Sequence, residues 1–185
     1  MAADAYRWAL LSKAADAIRP ADFAEYFELR RLLGSRRPAD HREFQVRFAR
    51  YYRLNNGGLT EAFKRRYFQL LFTSRPCGEE DPYTPLLLTL YRFPRRKGDH
   101  SLQASFVSKL VAIHDESRPL YDVHVRNFFG MAPPAVGSIE FRIAGFVENL
   151  RRIQEEYESW TVDPHLRACL KSDLQRTSKL TRELA

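Results

Sequence analysis

The sequence predicts an all-α protein built as a single helical domain, compact or two-lobed. Three observations carry this. Apolar residues recur at i, i+3 and i+4 in nearly every segment. The segments are bounded by capping residues or by Pro and Gly breakers. The chain also holds 13 Phe and nine Tyr, enough to fill helix–helix seams. At 185 residues, it is long enough to bury a substantial core in one domain.

Residues 4–18 read as a first helix, with Tyr6, Leu10 and Ala17 along one side and Pro20 as its stop. Asp22, followed by Glu25, starts the next in a capping-box pattern. Its apolar side runs through Phe23, Tyr26, Phe27, Leu29, Leu32 and Leu33 to Gly34. Asp40, with Glu43 at N3, caps a third helix that buries Phe44, Phe48, Tyr51 and Tyr52. Asn55-Asn56-Gly57-Gly58 breaks it, and Thr60 caps a fourth, with Phe63, Tyr67, Leu70 and Leu71 in period. Leu86 to Phe93 is short and apolar enough for a buried strand. Its helical neighbours and the lack of any partner strand make it a buried helix opened by Pro85. Ser101 is read as the cap of a helix carrying Leu102, Phe106, Val107, Leu110 and Ile113. After the Pro133-Pro134 linker, Ser138 starts a long helix with Ile143, Phe146, Leu150 and Ile153 on one face; Pro164 opens the last. No internal repeat is found.

Net charge is +7 and unevenly spread. Residues 1–98 hold 19 Lys and Arg against 11 Asp and Glu; residues 99–185 hold 11 against 12. Most of the cations are Arg, which grips phosphate bidentately and stacks on bases. The basic half therefore points to DNA or RNA, or another acidic partner; a solvated basic face is the simpler alternative. No apolar run reaches the length of a membrane span, and the N-terminus lacks the apolar core of a signal peptide. Cys77 and Cys169 supply neither a disulfide framework nor a metal cluster, so a cytoplasmic setting is expected.

One stretch concentrates the chemistry: Ser117-Arg118-Pro119-Leu120-Tyr121-Asp122-Val123-His124-Val125-Arg126, ending at Gly130. Pro119 extends the chain at Arg118, Asp122 is placed to cap a short helix, and Gly130 to end it. The simplest reading makes Asp122 an N-cap and His124 a surface histidine. The local pattern Asp-x-His-Val-Arg, behind an amphipathic helix and a proline turn, resembles the catalytic-Asp segment of the helix-hairpin-helix DNA glycosylases. The resemblance spans roughly residues 98–130 and implies a helical fold, DNA binding and base excision. In that family the Asp stabilises positive charge on the sugar as the base leaves.

The family's DNA-binding hairpin carries a Leu-Pro-Gly-x-Gly turn. Here its place is taken by Arg95-Arg96-Lys97-Gly98-Asp99-His100. Bifunctional members place a Schiff-base lysine where this chain has Ala104. Lys109 stands 13 residues before Asp122 and is expected to be a surface or salt-bridging residue, leaving no support for a lyase step. The resemblance thus makes Asp122 the candidate catalytic residue. Arg95, Arg96, Lys97, Gly98, Lys109, His124 and Arg126 are the candidate nucleic-acid contacts, with Tyr121 or His124 shaping a pocket. No cofactor or metal is expected. Two cysteines cannot hold an iron–sulfur cluster, and the five histidines lack tight ligand spacing, though His114 and His124 could converge near Asp122 across the turn. Two further readings stay open: a non-catalytic descendant that binds nucleic acid or protein, and a helical interaction protein with no nucleic-acid role.

Overall fold

A computed structural model describes residues 19–74, 80–132 and 136–163. Within them are seven α-helices: α1 (Pro20–Leu33), α2 (Pro38–Tyr51), α3 (Glu61–Thr73), α4 (Tyr83–Tyr91), α5 (Ala104–His114), α6 (Val123–Phe128) and α7 (Ile139–Val162). A 3-10 turn spans Leu54–Gly57, and the only β-pairing among the described residues is an isolated bridge between Leu59 and Arg95. The protein is all-helical. None of these helices is long and apolar enough to cross a membrane. The expected first and last helices, and both cysteines, lie outside the described residues. The chain divides into two units, residues 32–155 and a smaller one drawn from residues 1–31 and 156–185.

Two caps work differently from expectation. Asp22 and Asp40 do not start their helices; each sits in the first turn, with a proline opening the helix two residues earlier. Proline suits that first position, because the amide it lacks has no helical partner there. Asp22 reaches back to accept from Arg19 N at 3.0 Å and from the Arg19 guanidinium at 2.9 Å. Asp40, buried, takes the Arg37 guanidinium at 2.8 and 2.9 Å and the Ser35 hydroxyl. The Asp22 bond is the return half of a capping box, with Arg in the usual Ser or Thr position, whereas the Arg37 amide donates to Ser35 Oγ and Asp40 holds only the Arg37 side chain and the Ser35 hydroxyl. The two helix starts share a short internal repeat, contrary to expectation: Arg-Pro-Ala-Asp at 19–22 and again at 37–40. Glu43 pairs with Arg47 instead of capping.

Ser101 is not a cap either, since α5 begins at Ala104 with Gln103 before it. The apolar run from Leu86 is helical, but it starts earlier than Pro85: Asp81 Oδ1 accepts from Tyr83 N and Thr84 N. Thr60 and Ser138 do cap as expected, accepting from Phe63 N and Phe141 N.

An aromatic cluster at the centre of the larger unit joins α2, α3 and α5. Tyr67 is fully buried, with its ring centroid 5.9 Å from Phe48, 6.2 Å from Phe63 and 6.5 Å from Phe106. A buried hydroxyl must find an acceptor, and Tyr67 Oη donates to Phe106 O at 2.8 Å. That bond ties α3 to the helix leading towards Asp122.

Candidate functional site

The site is built on the turn between α5 and α6. Asp115 takes the Ser117 amide and the Arg118 guanidinium, closing residues 115–118 into a tight corner. The chain then enters the interior at Tyr121, whose ring packs edge-on to Phe146 at 5.0 Å and whose Oη accepts from Asn149 Nδ2 at 3.3 Å. Ser108, fully buried on α5, fixes the backbone here: its hydroxyl accepts from Tyr121 N at 3.0 Å and lies 3.2 Å from Tyr121 O. Asp122 is thus positioned by a serine 14 residues earlier that is absent from the sequence candidates. The signal for it was a lone hydroxyl on the apolar face of Phe106-Val107-Ser108-Lys109-Leu110, where an unpaired polar group would be costly.

Asp122 caps α6 as the sequence predicts. Its backbone is extended, and Oδ1 accepts from His124 N at 2.8 Å and Val125 N at 2.9 Å. Oδ2 accepts no hydrogen bond from any described residue. At the other end Gly130, with φ of +62°, closes the helix: Gly130 N bonds Asn127 O and Met131 N bonds Arg126 O, a Schellman ending.

Beside Asp122 opens a pocket of about 230 Å³, lined by Leu102, Gln103, Ala104, Ser105, Tyr121, Asp122, Val123, Arg126 and Arg142. Arg126 and Tyr121 belong to it; His124 is exposed and does not line it. Arg142, from the first turn of α7, had no place among the sequence candidates. Its position in space follows from the packing of α7, through Phe146, onto Tyr121.

Lys109 lies behind one wall. It is half-buried and forms no salt bridge among the described residues, contrary to expectation. Nζ donates to Ser105 Oγ at 3.1 Å and sits 5.6 Å from the Tyr52 ring centre and 5.4 Å from that of Phe106. Burial pulls its pKa below the usual 10.5, while the nearby Asp122 charge pulls it up. In the folded state the ammonium therefore loses its proton before the unfolded chain does, and stability rises with pH in the window just below 10.5. Lys109→Met, which keeps the stem and removes the charge, is expected to raise the melting temperature at neutral pH and to flatten that alkaline rise. Thermal melts from pH 7 to 10.5 check this; an unchanged slope would exclude Lys109 as its source.

The basic turn is a separate, contiguous feature. Gly98 N bonds Arg95 O at 2.9 Å, Gly98 has φ of +84°, and the Arg95 side chain clasps Asp99. The clasp holds the Asp99 carboxyl below its usual range. Arg96 is docked on the neighbouring loop, its N on Gly58 O at 2.9 Å and its Nε on Leu59 O at 3.1 Å. Lys97 is exposed. Three of the turn's amides, those of Arg95, Arg96 and Gly98, are committed to protein carbonyls, so a phosphate here would be met by side chains rather than by the backbone. The turn leads through Leu102 and Gln103, both pocket residues, into α5.

Of the other histidines, His114 Nε2 lies 2.9 Å from Leu71 O, away from Asp122's cap. Among the described residues, no group of three His, Cys, Asp or Glu side chains is arranged to hold a metal ion. No protein-family model, curated protein or solved structure matches the chain.

Proposed function

We propose that the protein binds nucleic acid through the Arg95–Gly98 turn and receives one nucleotide in the pocket at Asp122, with base excision as the chemistry. The observation that carries this is the pocket itself. It places a carboxylate with an uncommitted oxygen beside two arginines, directly after a basic turn between two helices. Base excision needs a basic surface, room for an extruded base and a fixed negative charge near the sugar. A carboxylate held by two amides from a buried anchor is already oriented when the substrate arrives.

A second reading, a non-catalytic nucleic-acid module of the same build, draws on two observations. Asp122 Oδ1 is occupied in capping, and Lys109 turns towards Tyr52 and Phe106. Base release from a panel of lesion-containing duplexes separates the two readings.

Binding itself is tested by salt dependence, since cations that neutralise phosphates release condensed counterions. Replacing Arg95, Arg96 and Lys97 together by Ala is expected to weaken duplex binding and to reduce the log–log salt slope by about 1 to 2, at roughly 0.9 for each phosphate left without its cation. Arg95→Ala also opens the clasp, so Asp99→Asn serves as the control for turn loosening. A triple variant that binds like the parent at every salt concentration would remove the turn from the interface.

A further inference from the structure

The two pocket arginines differ from the rest. Among the described residues 32–155, the other half-buried arginines each have a side-chain acceptor: Arg47 on Glu43, Arg66 on Gln69, Arg95 on Asp99 and Arg118 on Asp115. The side chains of Arg126 and Arg142 have none among the described residues, and both line the pocket at Asp122. Arg126 Nε is enclosed without an acceptor. A buried guanidinium donor left unpaired is a cost, and two such cations on one small pocket add mutual repulsion. Arg142 also stands in the first turn of α7, the positive end of the helix dipole, where a cation is disfavoured. The local carboxylate does not resolve this. Asp122 forms no ion pair with either arginine, and its charge is felt by Lys109 on the other side of Ser105.

We propose that Arg126 and Arg142 form a phosphate-ester site: they grip the phosphate of the nucleotide whose sugar or base lies against Asp122. A phosphate suits two guanidinium groups arriving from different helices, because its several acceptor oxygens are shared between two forks, whereas a carboxylate is matched by one. The tetrahedral anion neutralises both cations. This rests on the nucleic-acid reading above and sharpens it: the turn carries the approach, and the pocket holds one defined phosphate. The phosphate comes either from a polynucleotide backbone or from a free nucleotide, and the two arms of the test distinguish these sources.

The variants are Arg126→Gln, Arg142→Gln, the double Gln, and Arg126→Lys, which keeps the charge without the fork. In the first arm, a duplex and a single strand are titrated at several salt concentrations. The double Gln is expected to lower the salt slope by about 1, the value for one neutralised phosphate, while Arg126→Lys weakens binding with the slope kept. In the second arm, melting temperature is followed against inorganic phosphate and a 5′-mononucleotide. Both ligands should raise that of the parent and leave the double Gln unmoved. Without ligand the double Gln should melt at or above the parent, since repulsion is relieved; a clear fall would make the arginines structural and overturn the proposal.

Nucleic acid bound with an unchanged slope in the double Gln would overturn the pocket and leave the nucleic-acid reading standing. A parent that ignores nucleic acid but is stabilised by mononucleotide through both arginines would support the pocket and overturn that reading. Failure in both arms would overturn both.

Discussion

If the proposed base excision runs through Asp122, Asp122→Asn is expected to leave the fold and nucleic-acid binding intact while base release falls at least about 100-fold, the scale for losing one preorganised electrostatic group. The reason is geometric. Asp122 Oδ1 accepts from His124 N and Val125 N, and an Asn side-chain oxygen can accept the same two bonds. Asn is as good an N-cap as Asp, so α6 should keep its cap and lose only a dipole contribution of a few tenths of a kcal/mol. What disappears is the negative charge that a sugar cation would need. Asp122→Ala removes cap and charge together and should cost about 1 kcal/mol of stability besides. Base release from damaged duplexes is measured beside thermal melts of the three proteins. A parent inactive across the panel, with the Asn variant binding equally well, would eliminate the enzyme and leave the binding module.

Tyr67→Ala is expected to destabilise the larger unit by about 3–5 kcal/mol, the range for deleting a large aromatic from a core. Tyr67 is fully buried among Phe48, Phe63, Phe68 and Phe106, so the void is walled by rings that cannot easily close on it. Tyr67→Phe keeps the ring and removes only the bond to Phe106 O, at about 1 kcal/mol. The difference between the two variants separates packing from hydrogen bonding. Burial also pushes the Tyr67 phenol well above its usual 10.0, because the phenolate would be desolvated. Above pH 10 the unfolded chain therefore loses this proton while the folded protein keeps it, and stability should fall as pH climbs. Tyr67→Phe should remove that part of the fall. Urea unfolding at neutral and alkaline pH measures both effects; an Ala variant within about 1 kcal/mol of the parent would contradict the central place given to Tyr67.

Local chemistry made much of the helical skeleton legible in the sequence. A cap bonds an amide two or three residues away, and a glycine end cap acts within five, so Asp122, Thr60, Ser138 and Gly130 declare themselves from their neighbours. The errors were local too. Asp22 and Asp40 looked like caps because an Asp before an apolar run usually is one. The proline two residues earlier is the stronger signal, as it opens the helix and leaves the Asp in the first turn, paired with the Arg that precedes the proline. Ser101 lost its cap role because α5 begins three residues later, at the edge of the pocket.

The site is another matter. Asp122 and Arg126 were visible because they share one short helix. Ser108 gripping Tyr121 and Arg96 reaching Leu59 involve partners 13 and 37 residues apart, and no sequence period encodes such pairs. Arg142 joins Arg126 only because Phe146, one turn further along α7, packs on Tyr121. The charge excess was readable from composition, but which half-buried arginines lack a side-chain acceptor was not: among the described residues 32–155, Glu43, Gln69, Asp99 and Asp115 supply theirs by close spacing, and the pocket pair is left over. Hydrogen bonds within a turn are set by residues a few positions apart, so the sequence by itself determined the helices and the cap at Asp122. Which side chains face one another across the pocket depends on how separate helices pack, and that only the tertiary structure decided.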